Sequence, residues 1–112
     1  MSARLKRNAL CLCLLAKVDP DLARVIINKG NVNLVKSLCE CAHNILKGNV
    51  PLKKSQKGRL RRYKKHLRTL VQRNTSLHER KRILQKGGFV GALLAPLAKS
   101  LLAPLVTALL QS

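Results

Sequence analysis

DPDLARVIINKGNVNLVKSLCECAHNILKG (residues 19–48) carries the clearest structural signals in this chain of 112 residues. Asp19 stands where an N-cap side chain accepts an orphan amide, Pro20 suits the first helical position, and Asp21 places negative charge in the first turn. Gly30 then stops the segment. A second helix begins after Asn31, carrying Leu34, Val35, Leu38, Cys39, Ala42, Ile45 and Leu46 at spacings of three and four, and ends at Gly48. Leu22, Val25 and Ile26 supply a matching stripe on the preceding helix. N-terminal to both, SARLKRNALCLCLLA has the basic start and apolar run of a secretory signal. Its run is short and no small-x-small site follows before Lys17 and Asp19, so it reads as a first helix from Ala3 to Lys17 of an intracellular chain. Three short helices burying a shared apolar centre form a small packing or interaction unit over 1–48.

Lysine and arginine total 23 against four acids (Asp19, Asp21, Glu40 and Glu79), a net charge of +19. Such a chain repels itself and favours a polyanionic partner, nucleic acid or an anionic membrane. Tyr63 and Phe89 are its aromatic residues and it has no Trp. Base-stacking platforms are therefore lacking, which favours contact with a duplex backbone over base reading.

The cationic residues concentrate beyond the hinge GNVPLKKSQKG (48–58), where Asn49 and Pro51 break the helix. Residues 53–86 hold 14 Lys or Arg and one acid, Glu79. Within them Leu60, Tyr63, Leu67, Leu70 and Val71 form a narrow apolar stripe on an otherwise cationic helix. Ser76 and Glu79 have the spacing of a capping box that restarts a helix towards the glycines. Leu77, Ile83 and Leu84 would fold back on the first stripe, making 49–88 a basic helical hairpin turning near Asn74 and Thr75. Ordinary surfaces mix charges of both signs and this run does not. The candidate nucleic-acid contacts are Lys53, Lys54, Lys57, Arg59, Arg61, Arg62, Lys64, Lys65, Arg68, Arg73, Arg80, Lys81 and Arg82. His66 and His78 are expected on the same wet surface.

After Gly87 and Gly88 the chain becomes apolar, with Lys99 its one charge. LLAPL occurs at 93–97 and again at 101–105, and Pro96 and Pro104 should each kink a helix. A segment apolar on nearly every side needs a partner surface, a membrane or another copy. Leu93, Leu94, Leu97, Leu101, Leu102, Leu105 and Leu109 are the candidate contacts. Phe89 to Leu110 is long enough to span a bilayer at about 1.5 Å per residue. Lys99 opposes this at about 2.5–3.5 kcal/mol on insertion scales. The fold class expected is all-α: a small N-terminal helical unit, a basic hairpin and a Pro-kinked apolar tail over 89–112.

Cys11, Cys13, Cys39 and Cys41 form two C-x-C pairs in helical segments. Side chains two apart on a helix lie about 200° apart, so neither pair easily chelates one metal. A zinc site drawing on Cys39, Cys41, His43 and the Cys11 pair, a disulfide between the segments, and reduced buried thiols are the three readings. No recognised ligand spacing is present, and no metal or other cofactor is assigned. Asp19 and Asp21 are explained by a helix start, and no catalytic constellation or phosphate-cradling glycine loop stands out, so an enzyme is not expected.

A strongly basic region followed by Gly-Gly and a Pro-interrupted, Leu-rich tail resembles the adenovirus core protein X (mu) precursor family. NILKGNVPLKKSQKGRLRRYKKHLRTL running into KRILQKGGF is also similar to a small protein of Polinton (Maverick) transposons and adintoviruses, over roughly residues 20–110. GNVPL and KGGF are the most specific pieces of that likeness; residues 3–47 have no counterpart in core protein X. The resemblance implies genome condensation, a location in the virion and host nucleus, and processing at Gly87, Gly88 and Phe89 by a viral cysteine protease, with Gln85-Lys86-Gly87-Gly88 as its site. The expected partners are double-stranded DNA, capsid protein, that protease, a membrane and further copies of the chain. A membrane protein held by residues 89–110, its basic helices on anionic headgroups, is the alternative.

Overall fold

A computed structural model describes residues 3–98 and 110–111. The chain is all-α, as expected. Its helices are α1 (Ala3–Arg7), α2 (Ala9–Lys17), α3 (Pro20–Lys29), α4 (Val32–Leu46), α5 (Lys54–Arg61), α6 (Lys64–Leu70), α7 (Leu77–Leu84) and α8 (Phe89–Leu94), the last followed by a 3-10 turn over Ala95–Leu97.

The capping signals form as read. Asp19 accepts the Leu22 amide at 2.9 Å, Asn31 that of Leu34 at 3.0 Å, and Ser76 that of Glu79 at 3.1 Å. At Ser76 the box is half made, because the Glu79 carboxylate turns to Arg82 instead of back to the cap. Gly48, at φ 77°, follows α4 in the left-handed conformation that glycine adopts without steric cost.

Two expected helices are broken by tertiary partners. The first divides at Asn8, whose Nδ2 donates to the Arg4 carbonyl at 2.9 Å and to Ser37 Oγ at 3.0 Å. Ser37 is fully buried on α4 and donates to the Asn33 carbonyl, so this polar contact ties α1 and α2 to α4 with its groups satisfied. The basic helix divides at Arg62 and Tyr63, and Tyr63 reaches across to the Gly87 carbonyl at 3.1 Å.

Two buried faces are also turned from expectation. On α3, Ala23 and Ile27 are buried, whereas Leu22 and Val25 are about half exposed. This helix packs on α7, where small Ala23 permits close approach and Lys81 Nζ donates to the Asn28 carbonyl at 3.1 Å. On α4, Cys41 and Ser37 join Leu34, Val35, Leu38, Ala42 and Ile45 inside, while Leu46 is exposed.

The largest difference lies in the tail. Phe89, Val90, Ala92, Leu93 and Leu94 are all buried, and α8 packs against α2, α4 and α5. Leu97 is buried within the 3-10 turn at Pro96. The candidate membrane or partner residues Leu93, Leu94 and Leu97 are therefore interior residues. A helix apolar all round finds its partner surface in this chain's own helices. Leu101, Leu102, Leu105, Leu109, Lys99 and Pro104 lie outside the described residues. Leu12 and Leu38, Leu60 and Leu67, and Phe89 belong to one hydrophobic cluster, so among the described residues Phe89–Leu97 share a core with the N-terminal helices and the basic hairpin. Among the described residues no helix is long and apolar enough to cross a membrane.

Candidate nucleic-acid interface

The basic surface is built on the hairpin of α5, α6 and α7. Leu60, Leu67 and Leu70 point inward with half-buried Tyr63 and Val71, which leaves the remaining faces to the cations. Lys53, Lys54, Lys57, Arg59, Arg61, Arg62, Lys64, Lys65, Arg68 and Arg73 are all exposed. No acid occurs between Glu40 and Glu79 in the sequence. Among the described residues the ion pairs are Arg24–Asp21 and Arg82–Glu79, both at 2.6 Å, and neither draws on these ten cations.

Arg80, Lys81 and Arg82 behave differently. Arg80 is half-buried and donates to the Gln72 carbonyl at 2.9 Å, bracing the turn between α6 and α7. Lys81 reaches the C-terminal end of α3. Arg82 grips Glu79 with two hydrogen bonds, which hold the Glu79 carboxyl below its ordinary range. These three candidates serve the fold's own contacts. Thr75, donating to the Thr69 carbonyl at 2.7 Å, completes the turn.

Neither aromatic ring is offered to solvent as a platform. Tyr63 and Phe89 rings lie 5.0 Å apart, and His66 stands 6.3 Å from Phe89 and 6.4 Å from Tyr63. His66 is thus half-buried in an aromatic cluster instead of on the wet surface, whereas His78 is exposed as expected. Burial first, then Lys86, Lys65 and Arg82, lowers the His66 pKa and favours the neutral ring.

The glycine pair sits against the same cluster. Gly88 has φ 77° and precedes α8, the Tyr63 hydroxyl holds the Gly87 carbonyl, and the Phe89 amide donates to the Lys86 carbonyl at 3.1 Å. The expected scissile bond, Gly88–Phe89, lies in a closed turn with a fully buried side chain on its C-terminal side. Cleavage there requires the turn and α8 to open.

Cys11, Cys13, Cys39 and Cys41 are free thiols. Burial, followed by Glu40 and Cys39, pushes the Cys41 thiol up to about 12. Cys39 and His43 line an open groove with Arg4, Lys36 and Arg80, yet no group of three metal ligands exists among the described residues. No family model matches the chain, and neither a curated protein nor a solved structure does.

Arg24 and Lys86 are not among the candidate contacts, yet they share a cleft with Arg59. Lys86 was within reach of sequence reasoning, since it directly precedes the glycine pair. Arg24 lies apart from the basic run, on α3 between Asp21 and Lys29.

Proposed function

We propose that this chain is a sequence-nonspecific DNA-binding and condensing core protein of a virus or virus-like transposon. The observation that carries the proposal is the acid-free run of ten exposed cations from Lys53 to Arg73 on α5, α6 and the following turn. Their charges face solvent on helices whose apolar stripe is already used, so they are available to phosphates without refolding. Tyr63 and Phe89 are occupied with each other, which supports backbone contact without base reading. If about six to ten cations meet phosphates, affinity falls by roughly three to five orders of magnitude between about 50 and 200 mM salt. The viral setting rests on the resemblance to core protein X and to the Polinton and adintovirus proteins, as do capsid protein and a viral protease as partners. Processing after Gly88, on this reading, acts on an opened chain.

The membrane reading loses support. Phe89, Val90, Ala92, Leu93, Leu94 and Leu97 are buried in the chain's own core, so this part of the 22-residue stretch 89–110 is covered without a bilayer.

Reversing Lys57, Arg61, Lys64 and Arg68 to Glu tests the function. These side chains are exposed, so the variant should keep its helical circular dichroism while losing retention on duplex DNA at about physiological salt. Unchanged retention by a folded variant would sink the assignment.

A further inference from the structure

A cleft of about 150 Å³ opens where α3, α5 and the turn between α7 and α8 meet, with Arg24, Arg59 and Lys86 on its rim. Those cations come from segments far apart in sequence, and no carboxylate lines the cleft among the described residues. We propose that this cleft is a phosphate-binding site, which seats one phosphodiester of the DNA backbone against Arg59 and Lys86, with Arg24 completing the clamp. The proposal rests on the DNA-binding reading and names a preformed contact for it.

Chemistry and shape agree on a sugar–phosphate unit. Leu15, Val18, Pro20, Ala23 and Val90 supply apolar lining beside the cations. Deoxyribose presents an apolar edge next to its phosphate and matches that division. At about 30 Å³ for each liquid water, the volume has room for a phosphate group in place of several waters. Low-dielectric walls also strengthen the attraction between cations and anion relative to open solvent.

Each of the three cations has a defined place in the fold, Arg59 being the member of the exposed run nearest the cleft. Lys86 sits on the turn fixed by the Tyr63–Gly87 hydrogen bond and by the Phe89 amide on its own carbonyl. The Arg59 guanidinium lies over Gly91, with Nη2 4.0 Å from where a Cβ would stand. Arg24 is oriented by Asp21 at 2.6 Å, a carboxylate that shares its charge but lies outside the lining. Arg24, already oriented, loses less entropy when the phosphate arrives, and the fixed turn beneath Lys86 limits where its ammonium can go.

Two measurements on the full chain decide it. In the first, Arg59→Gln with Lys86→Gln is compared with the charge-matched pair Lys53→Gln with Lys57→Gln for affinity to one duplex at fixed salt. Loss from the cleft pair should exceed that from the control pair by about tenfold, whereas equal losses overturn the site as a DNA contact. In the second, inorganic phosphate is titrated into the isotopically labelled chain. Saturable shifts at the Gly88 and Gly91 amides that disappear in the cleft variant support the site, and their absence overturns it. Saturable phosphate binding with equal duplex losses would mean that the cleft takes a free phosphate, contradicting the DNA assignment. A wild-type chain that binds no duplex while its cleft still takes phosphate would refute the proposed function and leave an anion site standing.

Discussion

At the residue scale, Phe89 connects the basic hairpin to the interior. Its ring is fully buried and contacts Tyr63, and Tyr63 in turn holds the glycine turn. Phe89→Ala should cost about 3–5 kcal/mol in a urea unfolding experiment, the range for emptying a large core site. Gly88 carries a backbone requirement instead. An added Cβ would meet the Tyr63 hydroxyl at an ordinary 3.6 Å, so the strain of Gly88→Ala is confined to φ 77° and should cost roughly 1–2 kcal/mol. Cys41 predicts a pH effect. In the unfolded chain its thiol ionises near the ordinary value of 9.0, whereas burial keeps it protonated in the native state until about 12. The unfolded state therefore binds fewer protons across that interval, so this contribution is intact below 9 and is lost as pH rises towards 12. Raising the pH from about 8 to about 10 should lower the unfolding midpoint more in the wild type than in Cys41→Ala; identical drops would contradict the assignment.

At the element scale, helix starts were the most legible part of the chain, because a cap acts on amides two or three residues away. Asp19→Ala, Asn31→Ala and Ser76→Ala should each lose about 1 kcal/mol by thermal or urea unfolding. The breaks at Asn8 and Tyr63 were hidden because each depends on a distant partner, Ser37 and the Gly87 carbonyl respectively. The rotation of α3 was hidden likewise: Leu22, Val25 and Ile26 make a better stripe by hydrophobicity than Ala23 and Ile27, but packing on α7 selected the smaller residue. For α8 the difficulty was one of kind. A segment apolar on every side has the same pattern whether a bilayer, a partner or its own core covers it, and periodicity cannot separate these. The interface divides in the same way. Ten exposed cations were readable from charge density alone, whereas the contacts of Arg80 and Lys81 within the fold required the positions of Gln72 and Asn28.

On the scale of the whole molecule, +19 charge on a small helical core sets the energetics. Self-repulsion opposes folding, and salt shortens its reach from about 10 Å at 0.1 M to about 3 Å at 1 M. The melting temperature should therefore rise with sodium chloride, and a fall would mean that attractive pairs outweigh repulsion. Duplex DNA should raise it further, because a ligand bound by the folded chain alone adds stability by mass action. Because α8 lies in the core, a chain ending at Gly88 would lose Phe89, Val90, Leu93 and Leu94, so binding must be measured on the full sequence. The most direct test of the central claim is the affinity of that full chain for several unrelated duplexes across a salt series. A log–log slope of about −5 to −9, the same for every duplex, is the result predicted for six to ten phosphate contacts without base reading. A shallow slope, or one that differs strongly between sequences, would contradict it.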